Sequence, residues 1–188
     1  MREQYERYLE GHAHALREKC GTGAFDRLDP FALARIMKVE VVRPVLGSGV
    51  DEVTWNKVCV EGQDNWDGGT MILPDGARLV VLNPTRAAVR QRATIMEELA
   101  HLHLGHTPSK LILIGGIRMR TVNKTHERAA YQLGAASLLT ARILKGAKTR
   151  GYTAEKVAET HGVSMQLLKM RENFVGVHLP RMVLAEVA

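Results

Sequence analysis

Residues 94–106, "TIMEELAHLHLGH", hold the densest run of side chains able to do chemistry in this chain. Glu97 and His101 stand four apart. On a helix they lie about one turn apart on the same face, where two side chains can grip one cation. A carboxylate and an imidazole are both donors that first-row divalent metals accept. Glu98 sits about 60° from His101 around the axis, from where it could hold a metal-bound water and take its proton. The spacing is that of H-E-x-x-H with a glutamate in the first position. His103 is turned about 200° from His101, and His106 lies at the end of the helix, from where it could reach only by distortion. A third donor must therefore come from elsewhere. Glu127, in "THERAAYQLGAASLL", stands on a second helix that follows a hairpin and could face the first; its neighbour His126 is on a different face.

These donors need a long helix to carry the motif. Asn83-Pro84 opens one that runs to about residue 105, with Ile95, Met96, Leu99, Ala100 and Leu102 as its buried stripe and Gly105 as its end. Ahead of it, residues 2–19 read as a surface helix, since Tyr5, Tyr8, Leu9, His12, Ala15 and Leu16 recur at three- and four-residue steps. Asp29 and Pro30 are the N-cap and first-turn proline of a short helix, "FALARIM". "VEVVRPV", "VTWNKVCV", "TMIL" and "ARLVVLN" read as short strands, with "PDG" as the turn between the last two. After the motif, "LILIGGIRMRTV" reads as a second hairpin. A helix from about 125 to 145 follows, in which Ala129, Ala130, Gly134, Ala135 and Ala136 allow close packing. Two more helices, "TAEKVAETHG" and "VSMQLLKMREN", complete an α+β order.

Four stretches share a further likeness: "LDPFALARIMKVEVV", "LNPTRAAVRQRATIMEELAHLHLGH", "ERAAYQLGAASLL" and "YTAEKVAETHGVSMQLLKMRENFVG". Together they resemble the ImmA/IrrE family of metallo-endopeptidases over most of the chain. The resemblance implies a zincin-like α+β fold, with a small, mainly antiparallel sheet packed with an active-site helix and a C-terminal helical part. It implies one domain over residues 1–188: an N-terminal helix at 1–20, sheet plus active-site helix at 30–125 and C-terminal helices at 125–188. Glu98 falls on the family's general base and His101 on its second metal histidine. Glu97 replaces the first histidine, and Glu127 falls on the acidic ligand. The implied ion is Zn2+, with Mn2+ or Fe2+ as alternatives. The implied activity is cleavage of a helix-turn-helix transcriptional repressor in a stress, mobile-element or toxin-antitoxin circuit. A non-catalytic scaffold that binds a regulator protein or DNA is the alternative.

The sequence departs from that pattern at three places. Glu97 puts a hard oxygen where the family has a borderline nitrogen, and its charge makes a bound metal a weaker Lewis acid. In Glu127-Arg128-Ala129-Ala130, one of the two acids of the usual E-x-E-A is alanine. Thr140 stands where the family usually has proline.

Composition narrows the remaining classes. The 188 residues are 45% hydrophobic and 24% charged, as in ordinary globular proteins. The charged N-terminal segment does not read as a signal peptide, and no stretch has the length and apolarity of a membrane span, so the expected location is the cytoplasm. Cys20 and Cys59 fit reduced thiols. A net charge of +6 permits an acidic partner without showing one. Ala158, Gly162 and Leu168 follow a helix-turn-helix spacing that would present Ser164, Gln166, Lys169 and Arg171 to phosphate or base edges. The family resemblance makes these helices a packed tail, and direct DNA binding is not expected. His12 and His14 read as surface residues, "NWDGGT" as a turn, and Trp55 and Trp66 as packing.

Overall fold

The computed structural model describes residues 2–106, 111–114, 117–120 and 123–182. Helix α1, Arg2–Lys19, is packed more deeply than a surface helix. Its buried stripe is Leu9, Ala13 and Leu16, with Arg17, while Tyr8 stays exposed. Arg17 can be buried because its guanidinium donates to the carbonyls of Gly23, Asp26 and Ser137. Helix α2, Pro30–Ile36, begins as its sequence predicts, with the Asp29 carboxylate accepting from the Phe31 N–H.

Strands β1 (Val39–Val42), β2 (Gly68–Ile72) and β3 (Arg78–Leu82) form one sheet in the order β1-β3-β2. β1 runs parallel to β3, and β2 antiparallel to it, so this sheet is mixed. The "PDG" turn closes the β2–β3 hairpin, with Gly76 at φ 83° and the Asp75 carboxylate accepting from the Ala77 N–H. A separate two-stranded antiparallel sheet pairs β4 (Leu111–Ile114) with β5 (Ile117–Arg120). The Gly115-Gly116 centre of that predicted hairpin, and Thr121-Val122 after it, lie outside the described residues.

"VTWNKVCV" is helical, contrary to its β-rich composition. The Asp51 carboxylate accepts from the Thr54 N–H and hydroxyl, starting α3 (Glu52–Trp55), which runs into a π-helical turn at Asn56–Glu61. Val53, Val58 and Val60 are exposed and within the stretch only Cys59 is buried, so little burial rewards an extended chain, and the cap decides.

Helix α4, Ala88–His103, starts four residues later than Asn83-Pro84 suggests. Asn83 is fully buried and closes a turn instead: its side-chain oxygen accepts from Thr85, and its amide donates to Gln63 and Trp66 carbonyls. The helix predicted at about 125 to 145 is two, α5 (Lys124–Leu138) and α6 (Ala141–Thr149). The Thr140 hydroxyl caps the second by accepting from the Ile143 N–H. α7 (Ala154–His161) and α8 (Met165–Val175) meet at Gly162, which takes a left-handed conformation.

One apolar core runs from Leu9 to Leu179, through α4 and α5. Two glycines let its elements close on α4. A Cβ on Gly134 of α5 would stand 3.0 Å from the Glu97 nitrogen, and one on Gly68 of β2 would stand 2.7 Å from Thr94 Cγ2. On the far side of α4, buried Arg92 donates to the carbonyls of Leu28, His161 and Gly162. α8 is not a free reading helix. Arg171 is 1% exposed, paired with Glu10 and donating to the Leu139 carbonyl, and Ser164 caps the helix. Of the four residues that a helix-turn-helix would turn to DNA, Gln166 and Lys169 remain exposed. No helix among the described residues is long and apolar enough to cross a membrane.

Candidate metal centre

α4 presents Glu97 and His101 one turn apart, and α5 brings Glu127 across the seam that Gly134 keeps narrow. Donor atoms of Glu97, His101 and Glu127 all lie within 4.8 Å of one another. His101 Nε2 is 3.6 Å from Glu127 Oε2. All three side chains are half-buried, so the cluster is shielded and still reachable. The sequence-predicted ligands therefore share one place.

Glu98 belongs to a different contact. Its Oε2 accepts a 2.6 Å hydrogen bond from the Thr70 hydroxyl on β2. β2 thus holds the carboxylate of Glu98, whose charge is felt by Glu97. The sequence reading did not single out Thr70; its only signal was its place on a strand ahead of the motif helix.

Glu97 is the most perturbed acid of the group. Burial, then the charges of Glu98 and Glu127, push its carboxyl up to about 7, with Asp67 adding to the rise and Arg90 opposing it. Arg90 does not neutralise it directly, because its guanidinium is engaged by Asp67. Among the described residues, the Glu97 carboxylate has neither a hydrogen-bond partner nor an ion-pair partner. Three carboxylates held together without a cation repel one another, and a divalent ion would offset that repulsion. The donor set fits such an ion: two oxygens and one imidazole nitrogen.

The other histidines divide between two contacts. His103 points away from the cluster as its spacing predicts, and its Nε2 lies 2.9 Å from His12 Nδ1. Tyr8 meets the His12 ring edge-on, so His12 joins α1 to α4 and is not a free surface residue. His106 is the larger departure from expectation. It reaches His101 without distortion, Nδ1 to Nδ1 at 3.1 Å, and stacks on His126 at 4.1 Å between ring centroids. Burial lowers its pKa, with His126 and His101 reinforcing the effect.

Residues 57–173, more than half of the chain and all of this cluster, match the family described as the IrrE N-terminal-like domain, a peptidase family. The chain belongs to that family. As an IrrE N-terminal-like protein it is metallopeptidase-like, and Glu97, His101 and Glu127 are residues that could hold a metal ion. Among solved structures, a Mycobacterium tuberculosis transcriptional regulator is similar with a TM-score of 0.49 and 12% identity, over 88% of this chain and 46% of that one. The chain thus spans less than half of that regulator's length. No curated protein matches the sequence.

Proposed function

We propose that this chain is a cytoplasmic, metal-dependent endopeptidase that acts on a helix-turn-helix transcriptional repressor in a stress, mobile-element or toxin-antitoxin circuit. The observation that carries the reading is the convergence of Glu97, His101 and Glu127 beside a carboxylate, Glu98, that is not one of them. Family membership supports the reaction class, and the resemblance supplies the substrate class. Glu97, His101 and Glu127 would hold the ion: Zn2+, or Mn2+ or Fe2+ in view of the two oxygen donors. When bound, the ion supplies Lewis acidity, polarising a carbonyl and lowering the pKa of water.

The chain's own residues do the rest. Thr70 holds Oε2 of Glu98, which aims the carboxylate and leaves Oε1 to receive a proton from water and hand it to the leaving amine. The half-buried setting of the cluster limits competing water. In the scaffold alternative, the same cleft binds a regulator without cutting it. Buried Arg171 and capping Ser164 leave a poor surface for duplex DNA, so the partner there would be a protein.

Two measurements decide between them. Elemental analysis of the purified, untagged protein should find a divalent metal near one equivalent. Glu98→Gln keeps size and hydrogen bonding but cannot act as the base; it should abolish cleavage of a partner repressor and leave binding intact. Equal cleavage by variant and parent would remove Glu98 from the base role. A parent that binds the repressor and cleaves it with none of these metals would establish the scaffold reading instead.

A further inference from the structure

His106 is tied to His101 twice. The end of α4 is a Schellman turn: the Gly105 N–H donates to the Leu102 carbonyl and the His106 N–H to the His101 carbonyl, with Gly105 at φ 67°. Such a turn carries the residue after the glycine back over the last helical turn, where an apolar contact usually forms. Here the returning residue is an imidazole, and its Nδ1 meets that of His101 at 3.1 Å. Its ring face lies against His126, with the planes 5° apart, and His126 directly precedes Glu127.

Two ring nitrogens at that distance share one hydrogen. His101 Nε2 is the nitrogen that faces Glu127. To give its lone pair to a cation there, the ring must carry its proton on Nδ1, and that proton then needs an acceptor. His101 is also the sole nitrogen donor of the cluster, because a glutamate stands at position 97. Its tautomer therefore decides whether the cluster offers a nitrogen at all.

We propose that His106 is the positioning residue of this centre: by accepting the Nδ1 proton of His101, it fixes that ring so that Nε2 faces a divalent cation held with Glu97 and Glu127. The inference rests on the metal reading above. His106 itself does not touch the ion; it keeps its own proton on Nε2 and acts through His101.

Two variants separate the acceptor from the stacked ring. His106→Asn places an amide oxygen at the side-chain position of Nδ1 and gives up the ring face. His106→Phe keeps a face against His126 and has no acceptor. Zn2+ is titrated calorimetrically into the full-length, chelator-stripped proteins, their metal-free melting is compared, and 15N-histidine NMR spectra are recorded with zinc bound. His106→Phe should weaken zinc binding by roughly 10- to 100-fold, the range typical of outer-shell partners, and His106→Asn by no more than about threefold. A protected His101 Nδ1–H signal should appear in the parent and the Asn variant and be lost in the Phe variant. The reverse order of affinities would make stacking the role of His106 and overturn the proposal, as would equal affinities in all three proteins. A zinc-loaded parent with His101 unprotonated at Nδ1 overturns it without recourse to any variant. If the parent binds no divalent metal, the metal reading itself falls and takes this inference with it; if the parent binds zinc and the variants match it, only the inference falls.

Discussion

Gly134→Ala tests whether the seam between α4 and α5 is as tight as the donor cluster requires. The added methyl would stand 3.0 Å from the Glu97 nitrogen and the Met96 carbonyl carbon, and 3.1 Å from the Met96 oxygen. These are main-chain atoms in mid-helix and cannot swing aside as a side-chain tip can. The helices must part by about half an ångström to restore ordinary contact. Overpacking of this kind costs about 1–3 kcal/mol, and replacing a mid-helix glycine by alanine returns about 1 kcal/mol. The net loss is on the order of 1 kcal/mol, which lowers the melting temperature by about 2–4 °C in a chain of this size. The centre should suffer more than the fold. Glu97 and Glu127 stand on opposite sides of the seam, and their spread would exceed the roughly 0.2 Å that metal bond lengths tolerate, so zinc affinity should drop by about tenfold or more. Gly11→Ala is the control, because a Cβ there meets nothing within 4 Å. It should hold or raise stability by up to about 1 kcal/mol. Thermal melting of the metal-free proteins and calorimetric zinc titration read both effects. A Gly134→Ala protein that melts at or above the parent and binds zinc equally well would refute the reasoning.

Two further substitutions test the C-terminal packing. Arg171→Ala removes a 1%-exposed guanidinium from Glu10 and the Leu139 carbonyl and should cost about 3–5 kcal/mol in urea unfolding, whereas exposed Lys169→Ala should stay within about 0.5 kcal/mol; equal effects would contradict the packed placement of α8. His161 is 6% exposed, and burial, then Arg17, Arg27 and Arg92, push its pKa down to about 4 from 6.5. As pH falls the unfolded chain takes up this proton first, so the contribution is full above about pH 6.5 and is lost towards pH 4. It amounts to about 3 kcal/mol at roughly 1.4 kcal/mol per pH unit. His161→Leu should lose that much less stability than the parent between pH 7.5 and pH 4; an identical loss in both would show that His161 does not titrate this way.

That Glu97, His101 and Glu127 come together was legible because helical spacing is local. Glu97 and His101 are fixed by a four-residue step, and Glu127 by the order of elements around it. Contacts set by other parts of the fold were not. His106 was expected to reach only by distortion because it is the left-handed turn at Gly105 that folds it back, and "L-G-H" reads equally well as a plain helix end. The strand expected in "VTWNKVCV" failed for the opposite reason: composition favoured β, while the Asp51 cap and the exposure of all three valines favoured helix. That α8 is packed was implied by the resemblance, but the partner of Arg171 was not: nothing in its neighbourhood announces Glu10, 161 residues away. Thr140 was noted for what it replaces, and its role as a helix cap became visible only where α5 breaks.

The contacts that clamp the motif helix and its partner join parts of the chain far apart in sequence. Arg17 finds the Ser137 carbonyl 120 residues on, the Tyr5 hydroxyl finds Gln132, and Arg92 waits for the carbonyls of His161 and Gly162. A ribosome adds residues in sequence, so Glu97 and His101 emerge well before α5 can be held opposite them and before α7 can brace α4. The consequence is one of timing. Until α5 is made the nascent chain carries only the Glu97–His101 pair, and the contacts that brace α4 are complete only once synthesis has passed Gly162. Assembly of the three-donor cluster therefore follows the folding of the chain, and an ion held there would be captured after it and not guide it.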